Sequence, residues 1–348
     1  MIYLLFRADS FRESALEELG IAAPGYRIID EQHNIFIADM KMDREDALED
    51  AKFIYSYFPI YRSSDMEKGD YIGSIYKQMK GLGLDKRART KLECFDINCR
   101  EGYSAKDIEV AIGEMMERDG FSIDLKAPEV LAYSVLLNSR CYSGHMMVHD
   151  RGNAFLDPFR VYRGKRVSRA EFKIMEAFDA FGLDLPKVAV DIGAAPGGWS
   201  LFLAGKGAAV IAVDGAELDS ERIRKAGVEI KTLDTLKGAK VIESVRSGAI
   251  VHLRCRALEA IEALRGLQAD MITDDINAGG IESSMAALEY AEIMGKGATL
   301  VMTVKCMRRN VGKYIEEVEG ILESRFRIMR WKVLPHNRQE ITLFAKKK

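Results

Sequence analysis

Asp191-Ile-Gly-Ala-Ala-Pro-Gly-Gly-Trp-Ser200 decides the fold of this 348-residue chain. Before it, the apolar run Lys187-Val-Ala-Val-Asp191 has the length and branched content of a short buried strand. After it, residues 199–205 read as the start of a helix. Between strand and helix, Gly193, Ala194, Pro196, Gly197 and Gly198 form a turn in which the glycines permit a sharp bend and a close ligand. A second strand at 209–213 ends in Asp214, close to the separation of about 20 residues at which an acidic residue grips a ribose in nucleotide-binding βαβ units. The glycines do not form G-x-G-x-x-G, because Ala195 stands where the second would be and Pro196 stiffens the loop. This favours a ligand with adenosine and no pyrophosphate, such as S-adenosylmethionine.

The surrounding sequence predicts an α/β domain. Strands are expected at 187–191, 209–213, 249–253, 270–274 and 298–304, alternating with helices. Two further strands, 326–333 and 341–345, are separated by seven residues only, which places the last strand antiparallel at the sheet edge. Upstream, the expected elements are a strand at 1–7, a helix at 11–19, a strand at 34–38, a helix at 44–54 and a turn at 57–59. A helix at 70–81, a strand at 92–99, a helix through 117 capped by Gly102-Tyr-Ser104, strands at 121–125 and 130–137, and a turn at Ser143-Gly144 follow. The reading divides the chain into 1–69, 70–150, a Gly- and Arg-rich connection at 151–167, and 168–348.

Composition narrows the class. The chain is 48% apolar and 30% charged, with no apolar stretch of membrane-spanning length, and Met1-Ile-Tyr-Leu-Leu-Phe-Arg7 is too short for a signal-peptide core. Five scattered cysteines without a C-x-x-C pair suggest reduced thiols and a cytoplasmic protein. The net charge of −2 hides an asymmetry: residues 1–150 hold 19 Lys+Arg against 27 Asp+Glu, and residues 301–348 hold 12 against 5. The basic end is a modest polyanion footprint. His145-Met-Met-Val-His149 has the i, i+4 histidines of a zinc helix but no glutamate beside the first, and it follows a turn into a strand, so no metal site is expected. Phe172, Trp199 and Trp331 are expected in core packing, the commoner fate of such aromatics than base stacking.

Ser168-Arg-Ala-Glu-Phe-Lys173, followed by the 191–200 loop, Met271-Ile-Thr-Asp-Asp275, Leu300-Val-Met-Thr-Val-Lys305 and Gln339-Glu-Ile-Thr-Leu-Phe344, resembles the FtsJ/RrmJ-type RNA ribose 2′-O-methyltransferases. The resemblance covers residues 168–345. It implies a Rossmann-like class I domain with a mostly parallel seven-stranded sheet, S-adenosylmethionine as cofactor, and a Lys-Asp-Lys-Glu tetrad that maps onto Lys173, Asp274, Lys305 and Glu340. Ribose hydroxyls are weak nucleophiles, so such an enzyme must align oxygen, carbon and sulfur and ease loss of the hydroxyl proton. A lysine serves as base only when neutral, a form favoured by burial and a neighbouring cation and opposed by carboxylates. The resemblance implies Lys305 as base or orienting group, Asp274 and Lys173 as its positioners and Glu340 as support. Asp214 would hold the cofactor ribose, and Asp191, Gly193, Ala194, Pro196, Gly197, Gly198 and Trp199 would shape the methionine end.

Three departures from the family pattern stand out. Cys255 and Arg256 occupy the place of an acidic residue near adenine, Asp275-Ile-Asn-Ala278 replaces the usual Met-Ala-Pro-Asn, and 217–248 is long. Upstream, Phe95-Asp-Ile-Asn-Cys-Arg-Glu-Gly-Tyr-Ser104, Ile123-Asp-Leu125, Pro128 and Tyr142-Ser-Gly144 resemble a THUMP domain preceded by a ferredoxin-like segment. This pairing is similar to large-subunit ribosomal RNA methyltransferases of the M type, whereas THUMP domains elsewhere serve tRNA enzymes. The implied partner is structured RNA, tRNA or rRNA, with Lys86, Arg87, Arg89, Arg100, Arg169, Arg308 and Arg309 as phosphate contacts. Nothing in the sequence calls for a membrane or an obligate protein partner. Two rivals remain: a catalytically silent RNA-binding or assembly factor, and a nucleotide-dependent oxidoreductase, against which Ala195 argues.

Overall fold

The computed structural model describes residues 1–7, 9–42, 47–67, 70–96, 102–148, 168, 170–233, 238–306 and 310–348. The chain forms two compact units, Met1–Arg160 and Val161–Lys348. The expected connection at 151–167 lies outside the described residues. Among those described, no helix is long and apolar enough to cross a membrane.

The first unit opens with strand β1 (Ile2–Arg7), helix α1 (Arg12–Ala22), and strands β2 (Arg27–Gln32), β3 (Ile35–Asp39) and β4 (Ile54–Ile60). They form an antiparallel sheet in the order β2-β3-β1-β4, the strand order of a split βαβ arrangement. Two expectations fail here. The helix expected at 44–54 is not formed over its described part: residues 47–50 are turns, and 44–46 lie outside the described residues. The turn expected at 57–59 is instead the middle of β4, whose aromatic and branched residues pair with β1. Pro59 misled the reading; β4 is an edge strand, where a missing N–H costs nothing.

The same unit continues with β5 (Arg62–Asp65), α2 (Tyr71–Lys80), β6 (Thr90–Asp96), α3 (Ala105–Arg118), β7 (Val130–Leu137) and β8 (Arg140–Met147). Their sheet runs β5-β8-β7-β6. Asp70 caps α2, and Ser104 and Asp107 form a capping box at α3. Ile75, Met79, Ile108, Ile112 and Met116 from the two helices bury against Leu92, Ala132 and Leu136 of the sheet. At 121–125 there is an isolated bridge, Thr90 with Ile123, and no strand. The turn expected at Ser143-Gly144 lies five residues earlier, at Asn138-Ser139, where both residues have positive φ (+46° and +66°). Gly144 serves close approach rather than turning: a Cβ there would sit 2.1 Å from the Pro59 carbonyl oxygen.

In the second unit, α4 (Ala170–Phe181) leads to β9 (Val188–Ile192), α5 (Gly198–Gly205), β10 (Ala209–Val213), α6 (Ser220–Lys225), β11 (Glu229–Leu233), α7 (Gly238–Ser244), β12 (Ala249–Leu253), α8 (Ala257–Leu264) and β13 (Ala269–Asp274). Then come α9 (Gly280–Tyr290), β14 (Met294–Lys305), α10 (Val311–Leu322), β15 (Phe326–Lys332) and β16 (Glu340–Lys347). The sheet is eight-stranded, β11-β12-β10-β9-β13-β14-β16-β15, and parallel from β11 to β14. This is a Rossmann-like architecture with one strand more than the seven expected. The extra strand β11 comes from the long segment 217–248. The last strand is not at the edge: β16 inserts between β14 and β15, antiparallel to both, and β15 forms the edge. Leu203 and Ala204 of α5 and Ile223 of α6 cover one sheet face with Ala189, Val210, Ala212, Ile250 and Met271.

Candidate functional site

The parallel strands end together, and the loops beyond them build the site. Gly193 leaves β9 at φ +72°, and a Cβ on it would lie 2.8 Å from the backbone of Ile276 in the loop after β13. The glycine thus permits two loops of the protein to meet, a closer constraint than ligand approach. Gly193 and Ala194 donate their N–H groups to the Val213 carbonyl. Gly197 turns at φ +109°, and Gly198 opens α5 where a Cβ would press on the Ser168 hydroxyl. Pro196 accepts through its carbonyl from the Asp219 N–H. Asp214 Oδ2 accepts the Ala195 N–H at 3.0 Å and Oδ1 the Ala216 N–H at 2.8 Å, fixing a half-buried carboxylate at the end of β10. Each oxygen keeps a further lone pair for a ligand hydroxyl. Trp199 is buried, and its indole donates to the Ala170 carbonyl at 2.7 Å, tying α5 to α4.

Asp191 is fully buried, and both of its oxygens are used inside the fold. Ser200 donates to Oδ2 at 2.6 Å and Thr273 to Oδ1 at 2.9 Å, joining β9, α5 and β13. Burial pushes its carboxyl up to about 7, against the pull of the two hydroxyls, and the nearby Asp275 adds to the rise.

Of the four residues expected as a tetrad, the structure brings Lys173 and Glu340 into contact, with Asp275, the neighbour of Asp274, as a further partner of Lys173. Lys173 of α4 is buried, and its Nζ lies 2.5 Å from Glu340 Oε1 and 3.2 and 3.3 Å from the two oxygens of Asp275. Thr303 of β14 donates to Asp275 Oδ1 at 2.5 Å. Lys305 pairs in register with Glu340 across β14 and β16, and its Nζ donates to Asn277 Oδ1 at 2.5 Å and to the Ile276 carbonyl at 3.3 Å. Strand parity explains why Asp275 rather than Asp274 meets Lys173. Thr273 pairs with Asp191 and Val301, so its neighbour Asp274 points to the opposite sheet face, while Asp275 returns to the face of Thr303 and Lys305.

Asp274 is fully buried, with Oδ1 accepting the Ile276 N–H at 2.9 Å and Oδ2 without a hydrogen-bond partner among the described residues. Burial raises its carboxyl to about 8, the Ile276 N–H opposes, and Asp275 and Asp191 add to the rise. The strand ends therefore hold three neighbouring carboxyls, of which Asp191 and Asp274 keep their protons up to about 7 and 8.

The other expected residues fall as follows. Cys255 follows β12; its thiol is pushed up to about 11 by burial and by Glu259, so it is neutral at physiological pH. Arg256 donates its N–H to Glu259, and Arg254 pairs with Glu217 at 3.1 Å. Lys86 donates to the Asp119 carbonyl and sits 5.2 Å above the Phe121 ring, Arg89 pairs with Glu129 at 3.3 Å, and exposed Arg87 lines an open cleft with Asp85 and Glu129. Arg100, Arg169, Arg308 and Arg309 lie outside the described residues, as does His149. His145 stands on β8, its ring 4.9 Å from Tyr61. Trp331 is buried and donates to Glu319, and Phe172 packs 4.7 Å from the ring of His336.

Sequence reasoning missed Asp275, Asn277 and Thr303 as members of the site. Asp275 was legible in principle as the second of two adjacent aspartates. Thr303 lies two residues before Lys305 and so shares its face.

Residues 166–326 match the family described as FtsJ-like methyltransferase. FtsJ-like methyltransferases use S-adenosylmethionine. An uncharacterized protein of Methanocaldococcus jannaschii is 23% identical over 300 residues, 79% of this chain and 78% of the relative. The ribosomal RNA large subunit methyltransferase M of Shewanella frigidimarina is 25% identical over 48% of this chain and 49% of its own length. The ribosomal RNA large subunit methyltransferase E of Granulibacter bethesdensis is 31% identical over 31% of this chain and 39% of its own. The match thus spans about half or less of the two relatives named for an activity.

Proposed function

We propose that the FtsJ-like domain transfers a methyl group from S-adenosylmethionine to a ribose 2′-hydroxyl of structured RNA, ribosomal or transfer. The observation that carries this reading is the array at the strand ends, in which Lys173 is held between Asp275 and Glu340 and Lys305 stands across from Glu340. The names of the M and E relatives support RNA of the large ribosomal subunit as substrate.

The site suits the cofactor chemically. S-adenosylmethionine supplies an activated methyl on a cationic sulfonium. Burial above all, with Asp275 adding to it, holds protons on Asp191 and Asp274, and a cation nearby would favour their ionised forms. Asp214, fixed by two backbone N–H groups, would accept from the cofactor ribose. Adenine would lie against Cys255, a neutral contact in place of the family's acid.

The chain's own residues then do the following. Lys305, oriented by Asn277 and the Ile276 carbonyl, takes the hydroxyl proton in its neutral form or orients the hydroxyl as a cation. Glu340 and Lys173 fix the electrostatic setting of Lys305, and Asp275 with Thr303 fixes Lys173. In the first unit, residues 70–150 would hold RNA as a THUMP-like module, with Lys86, Arg87 and Arg89 near phosphates. Arg100, Arg169, Arg308 and Arg309 are assigned to the same contact from sequence.

The test is incubation with labelled S-adenosylmethionine and unmodified total RNA, followed by nucleoside mapping. Label on a ribose is expected, and label on a base would overturn the reading. Lys305→Ala should abolish transfer and spare RNA binding. A wild-type protein that binds RNA and transfers nothing would instead be a silent binding factor. Thermal stabilisation by NAD but not by S-adenosylhomocysteine would favour the oxidoreductase.

A further inference from the structure

Two ties join α4 to the start of β16 and the connection that leads into it. The first is the Lys173–Glu340 pair already described. The second lies one helical turn further along α4, where Glu176 is buried and meets His336. Glu176 Oε2 accepts the His336 backbone N–H at 3.0 Å, and Oε1 is hydrogen-bonded to the imidazole Nδ1. Phe172, the residue before Lys173, packs on the other side of the same imidazole, 4.7 Å between ring centroids.

Residue spacing couples the two ties. Lys173 and Glu176 are i, i+3 on α4 and share a face. His336 and Glu340 bracket the last residues before β16. The connection between them is stiffened by Asn337, whose Oδ1 accepts the Leu334 N–H at 2.9 Å and whose amide exchanges contacts of 3.3 Å with Thr342. Thr342 of β16 pairs with Thr303 of β14, the hydroxyl donor to Asp275. A shift of His336 would therefore move Glu340 directly and reach the rest of the array through two strand positions.

A buried carboxylate is costly unless it is paired, and burial does raise Glu176, with the His336 donors opposing. An apolar residue at 176 would pack α4 without that cost but would fix nothing at position 336.

We propose that Glu176 and His336 are positioning residues, a hydrogen-bonded couple that sets Glu340, and across β14 Lys305, against Lys173 for methyl transfer. The proposal rests on the methyltransferase reading above for its catalytic consequence, and on geometry alone for its structural one.

The full-length protein is compared with His336→Leu, which deletes the ring donor, and His336→Asn, whose amide places an N–H where Nδ1 stood. His336→Leu should lower kcat at least tenfold, with the KM for RNA and the affinity for S-adenosylhomocysteine within threefold of wild type. His336→Asn should recover most of that loss. In a Glu340→Gln background, His336→Leu should cost little more, because both changes act on the same contact. Hydrogen exchange supplies a readout independent of activity: amides of residues 338–342 should exchange faster in His336→Leu than in wild type or His336→Asn. Equal exchange in all three overturns the proposal, as do an undiminished kcat in His336→Leu, an Asn variant as impaired as the Leu variant, or full additivity with Glu340→Gln. If His336→Leu does not fold, His336→Ser takes its place, retaining the backbone bond to Glu176. A wild-type protein inactive on every RNA would overturn the methyltransferase reading, while the exchange comparison would still decide whether the couple positions Glu340.

Discussion

Asp274→Asn should make the protein more stable at high pH and leave it nearly unchanged at low pH. In the unfolded chain an aspartate ionises near 3.8, whereas in the fold Asp274 keeps its proton up to about 8. Between those values the folded state binds the extra proton, so wild-type stability falls as pH rises from about 4 to about 8. Each pKa unit is worth about 1.4 kcal/mol, and a shift of roughly four units sets a ceiling of about 6 kcal/mol once the group is ionised in both states. Asparagine keeps the acceptor for the Ile276 N–H and carries no charge at any pH. At low pH the comparison is between an amide and a protonated carboxyl, each burying a donor where Oδ2 lies, and the two should be close. Calorimetry of the full chain at pH 5 and pH 9 checks the difference. At about 2–4 °C per kcal/mol for a unit of this size, the variant should gain several degrees on wild type between the two conditions. A melting difference that does not change with pH, or that favours aspartate more at pH 9, would refute the account of Asp274 as a carboxyl held neutral by burial and by its two acidic neighbours.

Four further outcomes follow from the same geometry. Asp275→Asn should reduce methyl transfer at least tenfold, and Asp274→Asn much less; equal losses would return the tetrad role to Asp274. Affinity for S-adenosylmethionine should rise between pH 6 and pH 9, because a cation prefers the ionised forms of Asp191 and Asp274, which lose their protons near 7 and 8; calorimetric titration in two buffers of different ionisation enthalpy would detect the released protons, and a flat profile would count against cation binding there. Gly193→Ala combines a φ of +72° with a Cβ 2.8 Å from the Ile276 backbone, and should cost about 1–3 kcal/mol in denaturant unfolding; a neutral result would mean the two loops do not pack as described. Ser104→Ala breaks the capping box of α3 and should cost about 1 kcal/mol, read from the same unfolding curves.

The sequence was most legible where its pattern had one physical solution. The apolar strand Ala209–Val213 is buried on both faces, and nothing else suits five consecutive buried apolar positions between turn signals; Ala249–Leu253 is also buried throughout, with His252 as its one polar residue. Helix starts were equally clear where a capping residue announced them, as at Asp70 and Ser104. Errors arose where a local signal served a tertiary purpose. Pro59 and Gly144 look like turn residues, yet one sits on an edge strand and the other gives β4 room to approach β8. The polar edge strands β2 and β11 gave no alternation to read, because one side of an edge has little to bury. The order of β15 and β16 was undetermined for a different reason: a hairpin dictates that the two strands pair, and not which of them meets β14.

At the site the same distinction holds with greater consequence. Lys173, Lys305 and Glu340 came from the resemblance to the FtsJ/RrmJ-type enzymes, whose motifs align each of them with one tetrad position. The aspartate could not be found that way, because positions 274 and 275 are both acidic and differ by one residue, which in a strand means opposite faces. Choosing between them required the pairing of Thr273 with Asp191 and Val301, a long-range fact that no local pattern contains. The second aspartate is not idle for that reason. Held at the base of the loop carrying Asp275, Ile276 and Asn277, Asp274 accepts the Ile276 N–H and so fixes the turn that presents Asp275 to Lys173 and Asn277 to Lys305. One carboxyl shapes the loop and the other faces the lysine. Exchanging their roles would require the whole loop to flip.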